Sequence, residues 1–177
     1  MVIATKNRKS GGSSANKNGL AYEVSTELEY MTIQLYKYHK VITFTLNGKK
    51  FIKIDKGNLY KYFDKKIDKT IGLAHGCKRP DECYINEDDK VIFIIEKKFQ
   101  KVDGSVCEKI QSVDFKNWHF KKIFKDYKVV YIYCLSNWFK NNCKPELEYL
   151  KFKDIPVLFG SNVTYKEDMI SIITNYK

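Results

Sequence analysis

The stretch that decides the fold runs from residue 79 to residue 98 and reads Arg79-Pro80-Asp81-Glu82-Cys83-Tyr84-Ile85-Asn86-Glu87-Asp88-Asp89-Lys90-Val91-Ile92-Phe93-Ile94-Ile95-Glu96-Lys97-Lys98. Its middle, Asn86 to Asp89, is a cluster of turn formers. It joins a short strand over Asp81–Ile85 to a second strand over Lys90–Lys98 as antiparallel neighbours. The second strand is apolar from Val91 to Ile95, which predicts burial on both faces and a place at the centre of a sheet. At its end Glu96 and Lys98 project to one face and Lys97 to the other, because strand side chains alternate. The turn brings Asp81 toward Glu96, which lies fifteen residues further on. The same alternation points Glu82 away from Asp81, so Glu82 is left outside the site.

Outward from this hairpin the pattern is that of a mixed sheet. Upstream, Ile42, Phe44 and Leu46 alternate with Thr43 and Thr45, Asn47-Gly48 supplies a type I′ turn, and Phe51–Ile54 returns. Before it, Ser13 or Ser14 can cap a helix. Leu20, Val24, Leu28, Met31 and Leu35 recur at three- and four-residue steps and predict one buried helical stripe reaching about Tyr38, with Glu23 beside it. A short helix is expected over Asn58–Ile67, then a loop through Gly72, Gly76 and Pro80.

Downstream, Ser105–Asp126 carries one helical pattern, with Ser105 and Glu108 spaced as a capping box. Lys128–Leu135 reads as another buried strand. A Trp138–Phe139 element, a helix after Pro145, a strand over Pro156–Phe159 and a helix around Lys166–Tyr176 complete the chain. Residues 1–14 read as a flexible basic arm and 15–177 as one domain, with a core of about 15–135 and peripheral elements over 136–177. The fold class is α/β, a central mixed β-sheet flanked by helices.

The chain has 177 residues, a formal charge of +11 and 44% hydrophobic residues. Such a composition excludes wholesale disorder, and no apolar run approaches the ~20 residues of a membrane span. Met1–Lys9 is basic but leads into Gly-Gly-Ser-Ser, not into the apolar stretch of a secretion signal. The five cysteines have no CxxC spacing and read as reduced thiols in the core of an intracellular, cytoplasmic protein. Trp118 and Trp138 are assigned to the core by default. The positive charge points to an anionic partner, of which nucleic acid is the commonest. Thirty of the 32 basic residues are lysine, a bias that an AT-rich genome also produces.

Two carboxylates and one ammonium on a single sheet end have a definite chemistry. Asp81 and Glu96 repel one another unless a hard divalent cation such as Mg²⁺ sits between their oxygens. Lys98 can then orient a water against a metal-held phosphate and stabilise the charge that develops. The bland alternative is a Glu–Lys ion pair on a solvated strand.

Pro80-Asp81 at one hairpin's distance from Glu96-Lys97-Lys98, at the end of the most apolar strand, resembles the signature of the PD-(D/E)XK nuclease superfamily. The order of elements over about residues 13–135 is similar too: leading helix, hairpin, the strand after Pro-Asp, the Glu-x-Lys strand, a covering helix and a further strand. Within that superfamily the chain resembles small type II restriction endonucleases. The resemblance implies a restriction-endonuclease-like core and hydrolysis of duplex DNA with one or two Mg²⁺ ions, for which Mn²⁺ can substitute. Asp81 and Glu96 would bind metal and Lys98 would orient the attacking water.

It adds Glu23, on a leading helix where some members carry an accessory acid, and Gln100, if the strand continues far enough to place it beside Lys98. Lys109 and Gln111, near the start of the covering helix, are candidate phosphate contacts, as is Arg79 beside Asp81. Lys116, His119, Lys121 and Lys122 form a basic stretch that could track a DNA backbone. A homodimer is the simplest way to cut both strands of a palindrome, although short-site cutters also act as monomers. Two other functions fit the residues less well. One is a repair or junction-resolving nuclease that recognises DNA shape. The other is a non-catalytic nucleic-acid-binding module, which needs no acidic pair.

Overall fold

The apolar strand that ends in Glu96 lies at the heart of a seven-stranded sheet whose strands follow one another in sequence order. The structure, a computed structural model, describes residues 12–28, 34–36, 41–56, 58–63, 67, 72, 74–102 and 105–176. Strands β1 (Gln34–Tyr36), β2 (Val41–Leu46), β3 (Lys49–Asp55), β4 (Glu82–Asn86) and β5 (Val91–Lys98) form an antiparallel meander. Strands β6 (Lys128–Leu135) and β7 (Val157–Phe159) then add in parallel. Parallel neighbours require crossovers, and here these are helical: α3 (Val106–Gln111) and α4 (Val113–Ile123) before β6, then α5 (Trp138–Asn142) and α6 (Lys144–Phe152) before β7.

Helices cover both faces, which is why β5 is apolar from Val91 to Ile95 and β6 from Val129 to Leu135. One core layer joins Cys83, Ile85, Ile92, Ile94, Tyr131 and Tyr133 to α2 (Leu59–Tyr62) and to helices α3–α6. The other joins Tyr84, Phe93, Ile95 and Ile132 to α1 (Gly12–Ser25) and α7 (Tyr165–Asn175). Each fully buried Ile or Phe contributes about 1.5–3 kcal/mol. The β2–β3 turn is as expected, with Asn47 at φ 48° and Gly48 at φ 76°, the left-handed pair that a type I′ turn requires. Helix α1 is held by Tyr22, whose hydroxyl accepts the Gly160 N–H at 3.1 Å. A Cβ on Gly160 would lie 2.4 Å from that same oxygen.

Several expectations are corrected. The leading helix ends at Ser25, and residues 34–36 pair with β2 as a strand. Leu20 and Val24 are exposed, at 61% and 63%, while Tyr22, Thr26 and Leu28 face the core. Residues 29–33 and 37–40, and most of 64–71, lie outside the described residues, as do residues 1–11 of the expected arm. The expected helix over 105–126 is two helices: Ser112 gives its hydroxyl to the Lys109 carbonyl at 2.7 Å and closes α3. Ser105 makes no side-chain cap bond, so the capping box does not form. Cys107 and Cys143 form a disulfide between α3 and the α5–α6 junction, so the five cysteines are not all thiols. No helix among the described residues is long and apolar enough to cross a membrane.

Candidate active site

The β4–β5 ladder extends one residue past β4. Asp81 N–H donates to the Ile95 carbonyl at 3.1 Å, and Asp81 Oδ2 accepts the Lys97 N–H at 2.8 Å. Asp81 is thereby fixed beside the end of β5, on the face where Glu96 and Lys98 project. The Lys98 ammonium lies 2.6 Å from Glu96 Oε1, 3.6 Å from Asp81 Oδ2 and 3.1 Å from the Lys97 carbonyl. Three oxygens from two strands thus converge on one cation.

Two further lysines complete the cluster. Lys116 of α4 reaches Glu96 Oε1 at 2.8 Å, and Lys56, one residue beyond β3, reaches Asp81 Oδ1 at 3.3 Å and also bonds Glu23 of α1. Three carboxylates and three ammonium groups balance to a formal charge of zero. The Asp81 and Glu96 side chains are 16% and 10% exposed, so the cluster lies at the surface, nearly enclosed. Burial pushes the Glu96 carboxyl up, but Lys98 and Lys116 outweigh it and hold the group below the usual range. Burial works to lower Lys98 in turn, and Glu96 and Asp81 keep it raised and protonated.

The donor set suits a hard divalent ion. Carboxylates of Asp81 and Glu96 with a backbone carbonyl are the oxygen ligands that Mg²⁺ takes, and all three already surround one positive charge. Behind Glu96, its β6 neighbour Tyr133 and nearby Tyr131 are buried. Burial, reinforced by the Glu96 charge, pushes both phenols well above their ordinary range.

Other expected site residues fall elsewhere. The strand stops at Lys98, and Gln100 turns its amide to the Val102 carbonyl at 2.6 Å, so it does not join Glu96 and Lys98. Glu23 does reach the cluster, through Lys56. Lys116 and His119 are not part of an exposed basic face: Lys116 is tied to Glu96, and His119 is buried against Phe115 and Phe120. Burial and nearby Lys78 lower the His119 imidazole. Lys121, Lys122, Lys109 and Arg79 are exposed. Gln111 bonds Glu146 of α6 at 3.1 Å. Trp118 is not in the core but 54% exposed.

Lys56 was not foreseen. Its signal is the β3–β4 pairing, in which Asp55 opposes Glu82, so the next residue faces Asp81. The chain matches no family model, and a search of curated proteins finds no relative.

Proposed function

We propose that the protein is a divalent-metal-dependent DNA endonuclease with a restriction-endonuclease-like core of the PD-(D/E)XK type, acting as a sequence-specific type II restriction enzyme. The observation that carries this is the gathering of two carboxylates, Asp81 and Glu96, and the Lys97 carbonyl around the Lys98 ammonium at one end of the sheet. Asp81 and Glu96 would hold Mg²⁺, or Mn²⁺ in its place. A bound ion supplies a Lewis acid and a water of lowered pKa. Lys98, kept protonated by its two carboxylates, is a charge that orients the water and stabilises the transition state, not a base. Glu23 holds Lys56 against Asp81. Lys116 and Lys56 can pass from carboxylate to phosphate when a metal takes over the acids, which suits the +11 chain to a polyanion.

An intracellular, cytoplasmic location belongs to the same proposal, and the Cys107–Cys143 disulfide is the one feature that an oxidising compartment favours instead. A palindromic target would be met by a homodimer. The test is incubation with plasmid and long viral DNA, in Mg²⁺ or in EDTA. Fixed bands that depend on Mg²⁺ are the expected outcome; no cutting with either Mg²⁺ or Mn²⁺ overturns it. A repair or junction-resolving nuclease is the second function in view, favoured by the exposed Trp118 ring on α4, the helix that carries Lys116.

A further inference from the structure

Helix α4 carries Lys116 into the cluster and, one residue earlier, holds an aromatic ring out of it. Phe115 and Trp118 are 52% and 54% exposed, and their ring centroids stand 5.8 Å apart. Spacing of three residues places them on one helix face. Scattered exposed apolar residues need no explanation, but two large rings packed on each other in solvent do.

Their surroundings are cationic. Lys78, three residues before Asp81, stands 5.9 Å over the Phe115 ring, and exposed Lys121 and Lys122 follow on the same helix. The nearest acid on the helix, Asp114, is paired with Lys153 at 3.1 Å and with Tyr149. A protein partner would find two rings among lysines. An unpaired nucleobase would find a stacking surface, and its phosphates would find the ammonium groups.

We infer that Phe115 and Trp118 form a stacking platform for a base turned out of the duplex, so that DNA with one nucleotide already unpaired is bound more tightly than the perfect duplex. This rests on Asp81, Glu96 and Lys98 being the phosphodiesterase site, since Phe115 adjoins Lys116, which reaches Glu96.

The test compares a perfect duplex with the same duplex carrying one unpaired base, with Ca²⁺ replacing Mg²⁺ so that binding is read alone. Wild type should bind the unpaired-base duplex more tightly, with quenching of tryptophan emission. Trp118→Ala should weaken that binding about tenfold, as loss of one base–aromatic stack does, and leave the perfect duplex within twofold. Trp118→Tyr should restore the preference, and unchanged melting temperatures would show that both variants fold. Equal wild-type affinity for the two duplexes, or equal loss on both in Trp118→Ala, overturns the platform. Separate cleavage assays in Mg²⁺ keep the two ideas apart. Discrimination without cutting upholds the platform and overturns the nuclease, and cutting without discrimination does the reverse.

Discussion

Two charge clusters stand back to back across the end of the β4–β5 hairpin, one residue out of step with each other. On the α1–α7 face Glu82 bonds Lys97 at 2.7 Å and Lys53 at 3.0 Å and takes the Tyr84 hydroxyl, and all three charged side chains are at most 4% exposed. On the opposite face Asp81, Glu96 and Lys98 make the same kinds of pair but remain in reach of solvent. The Lys97 ammonium also donates to the Glu23 carbonyl at 2.9 Å, so the sealed cluster ties α1 to the sheet. The same residue types therefore serve two ends. Where helices seal the group, its partners are fixed and its effect is on folding. Where one side stays open, an external ion or phosphate can replace a partner.

The sharpest break in this comparison is catalytic. Asp81→Ala, Glu96→Ala and Lys98→Ala should each lower DNA cleavage at least about 10²–10³-fold, the loss expected for a group that stabilises transition-state charge, while gel-shift binding persists. Wild-type cutting in all three would reduce the open cluster to a surface ion pair. Next, Glu82→Ala should cost about 3–5 kcal/mol in urea unfolding, because buried Lys97 loses its carboxylate while Lys53 keeps Glu27. If Glu96→Ala costs as much, the two clusters are alike and the distinction fails.

Metal binding gives a smaller and selective effect. At 100-fold above its dissociation constant Mg²⁺ should stabilise the native protein by about 2.7 kcal/mol, read as a rise in Tm that Asp81→Ala abolishes. Acidity probes the sealed side. Despite burial, Lys97 and Lys53 hold the Glu82 carboxyl below its usual range, so its contribution is present above about pH 4.3, the ordinary glutamate value, and is lost as pH falls through the lowered value. Lys53 is raised by Glu82 and Glu27 against the effect of burial. Its share is present below about pH 10.4 and is lost as pH rises through the raised value. Tm against pH should therefore fall at the acid end less steeply in Glu82→Gln than in wild type.

The hairpin carrying both clusters was legible because its determinants are local: a turn cluster, an apolar run and strict alternation. Alternation alone assigned Glu82 and Lys97 to the face away from Asp81, as found. What was not legible depends on pairing between distant segments. Leu20 and Val24 fit a helical period, yet residues 34–36 find a partner in β2, and the helix ends where Tyr22 and Thr26 meet Gly160. Lys116 looked like one of several solvated lysines. Only the packing of α4, part of the crossover between the parallel strands β5 and β6, brings it to Glu96, and packing of that kind leaves no mark in the surrounding residues. The same holds for Trp118, whose exposure is set by which α4 face meets the sheet.

Gly160 bears on how much of the chain can be shortened. Every residue of the open cluster lies before residue 117, so a fragment ending after β6 would carry the full set of charges. It would lack the backbone against which Tyr22 is seated, and the α7 residues Tyr165, Met169 and Ile173 that roof the same layer. The final forty or so residues, peripheral by sequence order, act as a footing for the first helix, and a single methyl group added at residue 160 would press on it from 138 positions away.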